Sequence, residues 1–257
     1  MAKRKTKRKT KKKSKKDRSS INRSSINRST LNRSTLSRDI IDVPFATKIS
    51  RGTRATSGNL DFHYQKYANM HLFFNKIRLK NLFHTLFNVE LVCIDNKIVP
   101  IYNEKLKISR KTKFVIFVIN VMTNEGNHAN IAIINNHNKT IEFFEPHGHR
   151  KNKNSGISDF KGLYIKKIKV LKEVFSGLIP EYVFINSIDH CRKTSFQTKI
   201  DPDENTGFCI TWCILFIHYR CLNPDILLSK LIIHLSRLIT TSKLLKYAKF
   251  IEETVKK

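Results

Sequence analysis

Acidic residues are scarce in this chain. Only 20 Asp and Glu stand against 49 Lys and Arg, which gives a formal net charge of +29 over 257 residues. An imbalance of that size directs non-specific association toward polyanions and says nothing about fold. Long apolar runs are missing too. None reaches the ~18 residues of a membrane-spanning helix, and no apolar core of a signal peptide follows the basic start. Paired cysteines are also absent: there are five, an odd number, in no paired spacing. That argues against a disulfide framework and for a reducing compartment. We therefore expect a protein that is neither secreted nor embedded in a membrane.

The charge that is present is unevenly placed. Residues 1–38 hold 16 Lys/Arg and a single acid, Asp17. Met1 to Lys16 is almost entirely Lys, Arg and Thr, a like-charged block that cannot bury anything. A five-residue repeat follows: RSSIN, RSSIN, RSTLN, RSTLS, with Arg18, Arg23, Arg28 and Arg33 opening its units. A period of five matches neither helix nor strand, so no apolar face forms. We read 1–44 as a disordered low-complexity tail, 45–60 as a Thr/Ser/Gly linker, and 61–257 as one folded domain. The tail fits contact with DNA or RNA through phosphate neutralisation, or a nuclear address; its bland alternative is a solubilising segment. Its serines and threonines, if phosphorylated, would cancel that attraction.

The body alternates in periodicity. Residues 59–87 read as helical, on Phe62, Tyr67, Met70, Phe73, Phe74, Ile77, Leu82 and Phe83. Short strands are expected at 89–94 and 97–101. The β-branched and aromatic run 113–121 suits a strand buried on both faces. Residues 129–134 and 140–145 read as a hairpin around a polar turn. A helix is expected over 162–176, a strand over 181–188, and helices from Cys209, from Pro224-Asp225 to about Ile239, and from Thr241-Ser242 to about Thr254. Strands in the middle with helices at both ends make the class α+β.

Chemistry concentrates in three places. Cys209 stands where a polar loop becomes an apolar helix. Helix-start N–H groups and the positive end of the dipole favour a thiolate there. The bland alternative is a small core residue. His128 opens one hairpin strand and Glu145 closes the next, so an antiparallel pairing brings a carboxylate beside an imidazole. Gln197, in the loop before Cys209, can donate to an oxyanion. Cys213 lies one helical turn past Cys209 and is the rival thiol; Cys93, Cys191 and Cys221 read as structural, and Trp212 as core. Asp201, Asp203 and Asn205 resemble part of a calcium loop, but Gly207 comes one position late and position twelve is Trp212. His147 and His149 with His128, Cys209 and Cys213 match no common zinc spacing. We expect no metal and no cofactor.

These residues resemble the Ulp1/adenain group of cysteine proteases, which includes SUMO-specific proteases, the adenovirus protease and enzymes of large DNA viruses. Three pieces carry the likeness. One is His128, the strand Ile131-Ala132-Ile133-Ile134, and the strand end Phe143-Phe144-Glu145, with Glu145 17 positions after His128. The second is Gln197 upstream of the cysteine. The third is Gly207-Phe208-Cys209-Ile210-Thr211-Trp212. The details are nearest to divergent giant-virus members, and the likeness covers about residues 113–224. It departs in three ways. Gln197 precedes Cys209 by 12 positions, longer than usual. Ala129 stands where SUMO proteases carry Trp, and Phe208 where they carry Asp.

The resemblance implies a papain-like, Ulp1-like fold with a central mixed sheet and the nucleophile at a helix N-terminus. It implies catalysis by His128 as base, Glu145 as its orienter, Cys209 as nucleophile and Gln197 as oxyanion donor. The expected substrate is a protein with small residues, often Gly-Gly or Gly-x-Gly, before the scissile bond. Viral precursors and ubiquitin-like conjugates both fit, with the enzyme a monomer in a virion or in the nucleus or cytoplasm of a host cell. Two other readings stay open: a same-fold acyltransferase working through the same Cys, and a non-catalytic nucleic-acid-binding protein that keeps the fold as scaffold.

Overall fold

The computed structural model describes residues 39–45, 67–79, 83–94, 97–103, 108, 110–123, 126–146, 160–190, 196 and 208–257. All belong to one compact unit that begins at Ser37. The Lys-rich block and the repeat lie outside the described residues.

The element order is α1 (Tyr67–Lys76), β1 (Phe83–Ile94), β2 (Lys97–Ile101), β3 (Phe114–Thr123), β4 (Gly126–Asn135), β5 (Thr140–Phe144), α2 (Phe160–Leu178), β6 (Val183–Asn186), a 3-10 turn (Ser187–His190), α3 (Cys209–Leu222), α4 (Leu228–Leu238) and α5 (Thr241–Lys256). The class is α+β. Six strands form one sheet in the order β2-β1-β3-β4-β5-β6. Pairs β1/β3 and β5/β6 are parallel and the rest antiparallel, so the sheet is mixed.

The sheet divides two cores. Phe114, Ile116 and Val118 of β3, with Ile131 and Ile133 of β4, pack against α3 and the helices behind it. Val115, Phe117 and Ile119 face the other way, with Leu171 and Phe175 of α2. The alternation of β3 therefore fills both faces with apolar side chains, which is why the segment carries no polar face. α3 is buried almost throughout, from Thr211 to Cys221. Two polar side chains in its interior find partners across the core. Arg220 donates to Glu142 Oε1 at 2.6 Å and to the Asn223 and Ile226 carbonyls, and His218 Nδ1 lies 3.0 Å from the Tyr247 hydroxyl.

The α4 helix begins at Leu228 in place of Pro224-Asp225, and the strand expected over 181–188 shortens to Val183–Asn186 before the 3-10 turn. Two other differences from the sequence reading are larger. The expected helix over 59–87 ends at Lys76, and residues 83–87 belong to β1. Arg78 takes a left-handed conformation (φ 60°), and Leu79 N–H bonds back to Phe74 C=O while Arg78 N–H bonds to Asn75 C=O. That is a Schellman stop built on Arg in place of Gly. Past it, parallel pairing with β3 decides the conformation of Phe83–Phe87, and tertiary pairing overrides a helical spacing of aromatics. The second difference concerns residues 39–44, assigned above to the tail. Here Asp39–Phe45 lies along the helical layer. Asn223 Oδ1 accepts from Ile41 N–H at 2.7 Å and Asn223 Nδ2 donates to Ile41 C=O at 2.8 Å. Asp42 accepts from Tyr219 and contacts His234, each near 3 Å, and Val43 is buried. The side-chain amide of Asn223 thus imitates a strand partner for a segment whose own sequence gives no periodicity.

No helix among the described residues is long and apolar enough to cross a membrane.

Candidate functional site

Register builds the site. Ile131 of β4 pairs with Phe144 of β5, so one further antiparallel step sets Asn130 opposite Glu145. His128, two residues beyond Asn130, falls on the same face as Glu145 and diagonal to it. β5 ends at Phe144 and Pro146 follows, which has no N–H to extend the ladder. The open end of β4 is instead met by the start of α3. Cys213 Sγ donates to Ala129 C=O at 3.7 Å, and the Cys209 sulfur accepts from the N–H groups of Ala129 and Ile210.

His128 is held from both sides. Its Nε2 lies 2.5 Å from Glu145 Oε1, which leaves Nδ1 for the sulfur, and the ring is hydrogen-bonded to Cys209. Burial alone would lower the imidazole pKa. The charge of Glu145, the bonds to Cys209 and Glu145 and the charge of the sulfur outweigh it, and the value is pushed up to about 9. For Cys209, burial alone would raise the pKa. The hydrogen bond and charge of His128 and the two backbone N–H groups outweigh it, and the thiol is held below its ordinary value. The other described cysteines go the opposite way. Burial raises Cys213 far up, pushes Cys221 to about 12, and raises Cys93 despite the charge of Lys167 nearby. α3 has no side-chain N-cap, as Phe208 occupies that position.

The structure brings His128, Glu145 and Cys209 together. Gln197 lies outside the described residues, as do Cys191, His147, His149 and the Asp201–Gly207 segment. Among the described residues no cluster of three His, Cys, Asp or Glu is arranged to hold a metal. Trp212 is buried, with Phe196 tilted against it at 5.1 Å. Glu142 is on the opposite face of β5 from Glu145 and serves Arg220.

One member of the cluster escaped the sequence reading. Lys167 of α2 is buried and donates to Glu145 Oε2 and, at 3.1 Å, to Asn130 Oδ1. Its signal was present: Lys167 precedes Leu171, Val174 and Phe175 by four, seven and eight positions, which is the buried stripe of α2. A lysine on an apolar stripe requires a buried partner.

No protein-family model matches the chain and no solved structure matches it. A curated protein of Acanthamoeba polyphaga mimivirus, named as an ankyrin repeat protein, is 29% identical over 140 residues. The match covers 50% of this chain and 18% of that protein, so the chain corresponds to under a fifth of its relative's length. That relative is of giant-virus source.

Proposed function

We propose that the protein is a cysteine endopeptidase or isopeptidase of Ulp1/adenain type on a papain-like fold. The single observation that carries this reading is the His128 ring held between the Glu145 carboxylate and the Cys209 sulfur at the N-terminus of α3. A depressed thiol beside a raised imidazole is an ion pair prepared for attack on a carbonyl carbon. In the proposed reaction the Cys209 thiolate forms the C–S bond and the carbonyl electron pair moves to oxygen. Backbone N–H groups at the helix start and the Gln197 amide receive that oxyanion. His128 then gives its proton to the departing amine as the C–N bond breaks, and later takes one from the water that hydrolyses the thioester. Glu145 orients the ring and stabilises the imidazolium. Cys213 makes a poor rival, because burial raises its thiol and its hydrogen is committed to Ala129 C=O.

The substrate follows from the resemblance: a protein with small residues before the scissile bond, either a viral precursor or a ubiquitin-like conjugate. The viral source of the mimivirus relative supports a viral setting. The basic tail adds DNA or RNA contact to this reading.

The test is labelling with iodoacetamide or a vinyl-sulfone peptide, mapped by mass spectrometry, beside hydrolysis of a Gly-Gly peptide. Cys209 should label first and the peptide should be cut, and His128→Ala should lose both. Labelling led by Cys213, or undiminished by His128→Ala, would remove the reading. Acyl transfer to a protein acceptor in place of hydrolysis would move it to the acyltransferase alternative.

A further inference from the structure

Resting on that reading, we propose that Lys167 is a positioning residue of the site. By holding Glu145 Oε2 from α2, it fixes the other carboxylate oxygen on His128 and sets the pH range over which Cys209 is a thiolate.

The geometry is that of a buried line of alternating charge. Sulfur, imidazole, carboxylate and ammonium follow one another from Cys209 through His128 and Glu145 to Lys167. Side-chain exposure is 13% at His128, 2% at Glu145 and 7% at Lys167, so solvent screens little of it. A carboxylate with one oxygen on imidazole and the other on an ammonium cannot rotate without breaking both bonds. Asn130, directly opposite Glu145 in register, accepts a second N–H of the same ammonium at Oδ1 and fixes its direction.

The surroundings leave Glu145 as the partner of Lys167. On α2 itself, the Tyr164 ring lies under the ammonium at 5.5 Å, and its hydroxyl is occupied by Asn186 of β6. From β5, the Phe143 ring is at 5.8 Å. From β1 the Cys93 thiol feels the charge, and from the 3-10 turn Asp189 acts on Tyr164. Lys167 joins two strands and a helix to the oxygen that faces away from the histidine.

Charge gives the sign. Removing a cation close to a coupled thiolate–imidazolium pair raises both of its apparent pKa values, because each protonated state carries one positive charge more. Sulfur and ammonium are separated by two intervening groups, and at an effective dielectric of about 20 the expected move is roughly one pH unit. Lost packing alone would lower the rate without moving either limb.

The experiment is the pH dependence of iodoacetamide alkylation, read at Cys209 by mass spectrometry on the full chain. It needs no substrate. Lys167→Gln and Lys167→Met should shift the acid limb upward by about one unit, a roughly tenfold slower reaction below both midpoints. Lys167→Arg should keep the limb within about 0.3 unit, since it keeps the charge. Unmoved limbs in the neutral variants overturn the role of Lys167. So does a Lys167→Arg limb displaced by more than about 0.5 unit, and that variant decides the matter if the neutral ones do not fold. If Cys209 of the parent itself shows no low-pH reactivity, the hydrolase reading fails first. A parent limb that is present, with neutral-variant limbs in the same place, sinks only the inference about Lys167.

Discussion

Glu142 and Glu145 are three residues apart, both buried, and each bound to a buried cation, yet they do different work. Glu142 faces the α3 core and holds Arg220, whose other nitrogen satisfies the last carbonyls around the α3 C-terminus. Glu145 faces α2 and holds Lys167, but its second oxygen reaches a histidine at the open end of the sheet. The pair teaches that burial and a charged partner do not by themselves mark a functional carboxylate. What distinguishes Glu145 is a histidine neighbour that is itself bound to the Cys209 sulfur.

That contrast can be broken most forcefully at the sulfur. Cys209→Ala should abolish peptide hydrolysis while leaving the thermal midpoint nearly unchanged, because the substitution removes one atom from a small side chain. A variant with residual activity close to the parent would place the nucleophile elsewhere. Next comes the carboxylate comparison. Glu145→Gln should cut turnover per folded molecule by roughly 10^2–10^4-fold, since an amide orients the ring but cannot balance the imidazolium, and it should cost stability as well, because Lys167 loses its carboxylate. Glu142→Gln should leave turnover per folded molecule unchanged, while stability to urea falls by about 3 kcal/mol because Arg220 is left uncompensated. Equal phenotypes for the two exchanges would erase the distinction.

Two histidines sharpen it through pH. His128 in the folded protein is raised to about 9 from an ordinary value near 6.5. Its contribution to stability is therefore complete below about pH 6.5 and is lost as pH rises through about 9. His218, buried against Tyr247 and aromatic rings, is lowered to about 3. It binds a proton more readily when unfolded, so stability should fall as pH drops from about 6.5 toward 3. Thermal midpoints across both windows give the check. Glu145→Gln should flatten the alkaline slope and leave the acid one, and an alkaline slope unaffected by that exchange would contradict the coupling.

The smallest effect belongs to the N-terminus. Removal of residues 1–36 should leave the thermal midpoint and peptide hydrolysis unchanged while flattening the salt dependence of DNA affinity. Removal of 1–44 should lower the midpoint by several degrees, as it strips Ile41, Asp42 and Val43 from α3 and α4. Identical midpoints for the two truncations would mean that the docked segment adds nothing to stability.

Much of the fold was legible because its signals are local. The unbroken apolar run of β3, the polar turn between β4 and β5 and the apolar stretch after Cys209 each specify an element without outside help. His128, Glu145 and Cys209 were legible because strand ends and a helix start are positions that spacing can locate. The β1 boundary was not, because parallel pairing with a strand some thirty residues away competes with helical spacing and wins. Lys167 was not named, although its place on the α2 stripe was readable, because nothing in one sequence says which buried acid a buried lysine will meet.

By itself, then, the sequence determined the α+β class, the central strand with two apolar faces, and which side chains could carry nucleophilic chemistry, since composition and periodicity act at short range. Only the tertiary structure decided that Glu142 would turn to Arg220 and Glu145 to His128 and Lys167, and that Asp39–Phe45 would belong to the body. Those choices depend on which surfaces meet across the sheet, and a buried charge takes its role from the partner that packing brings to it.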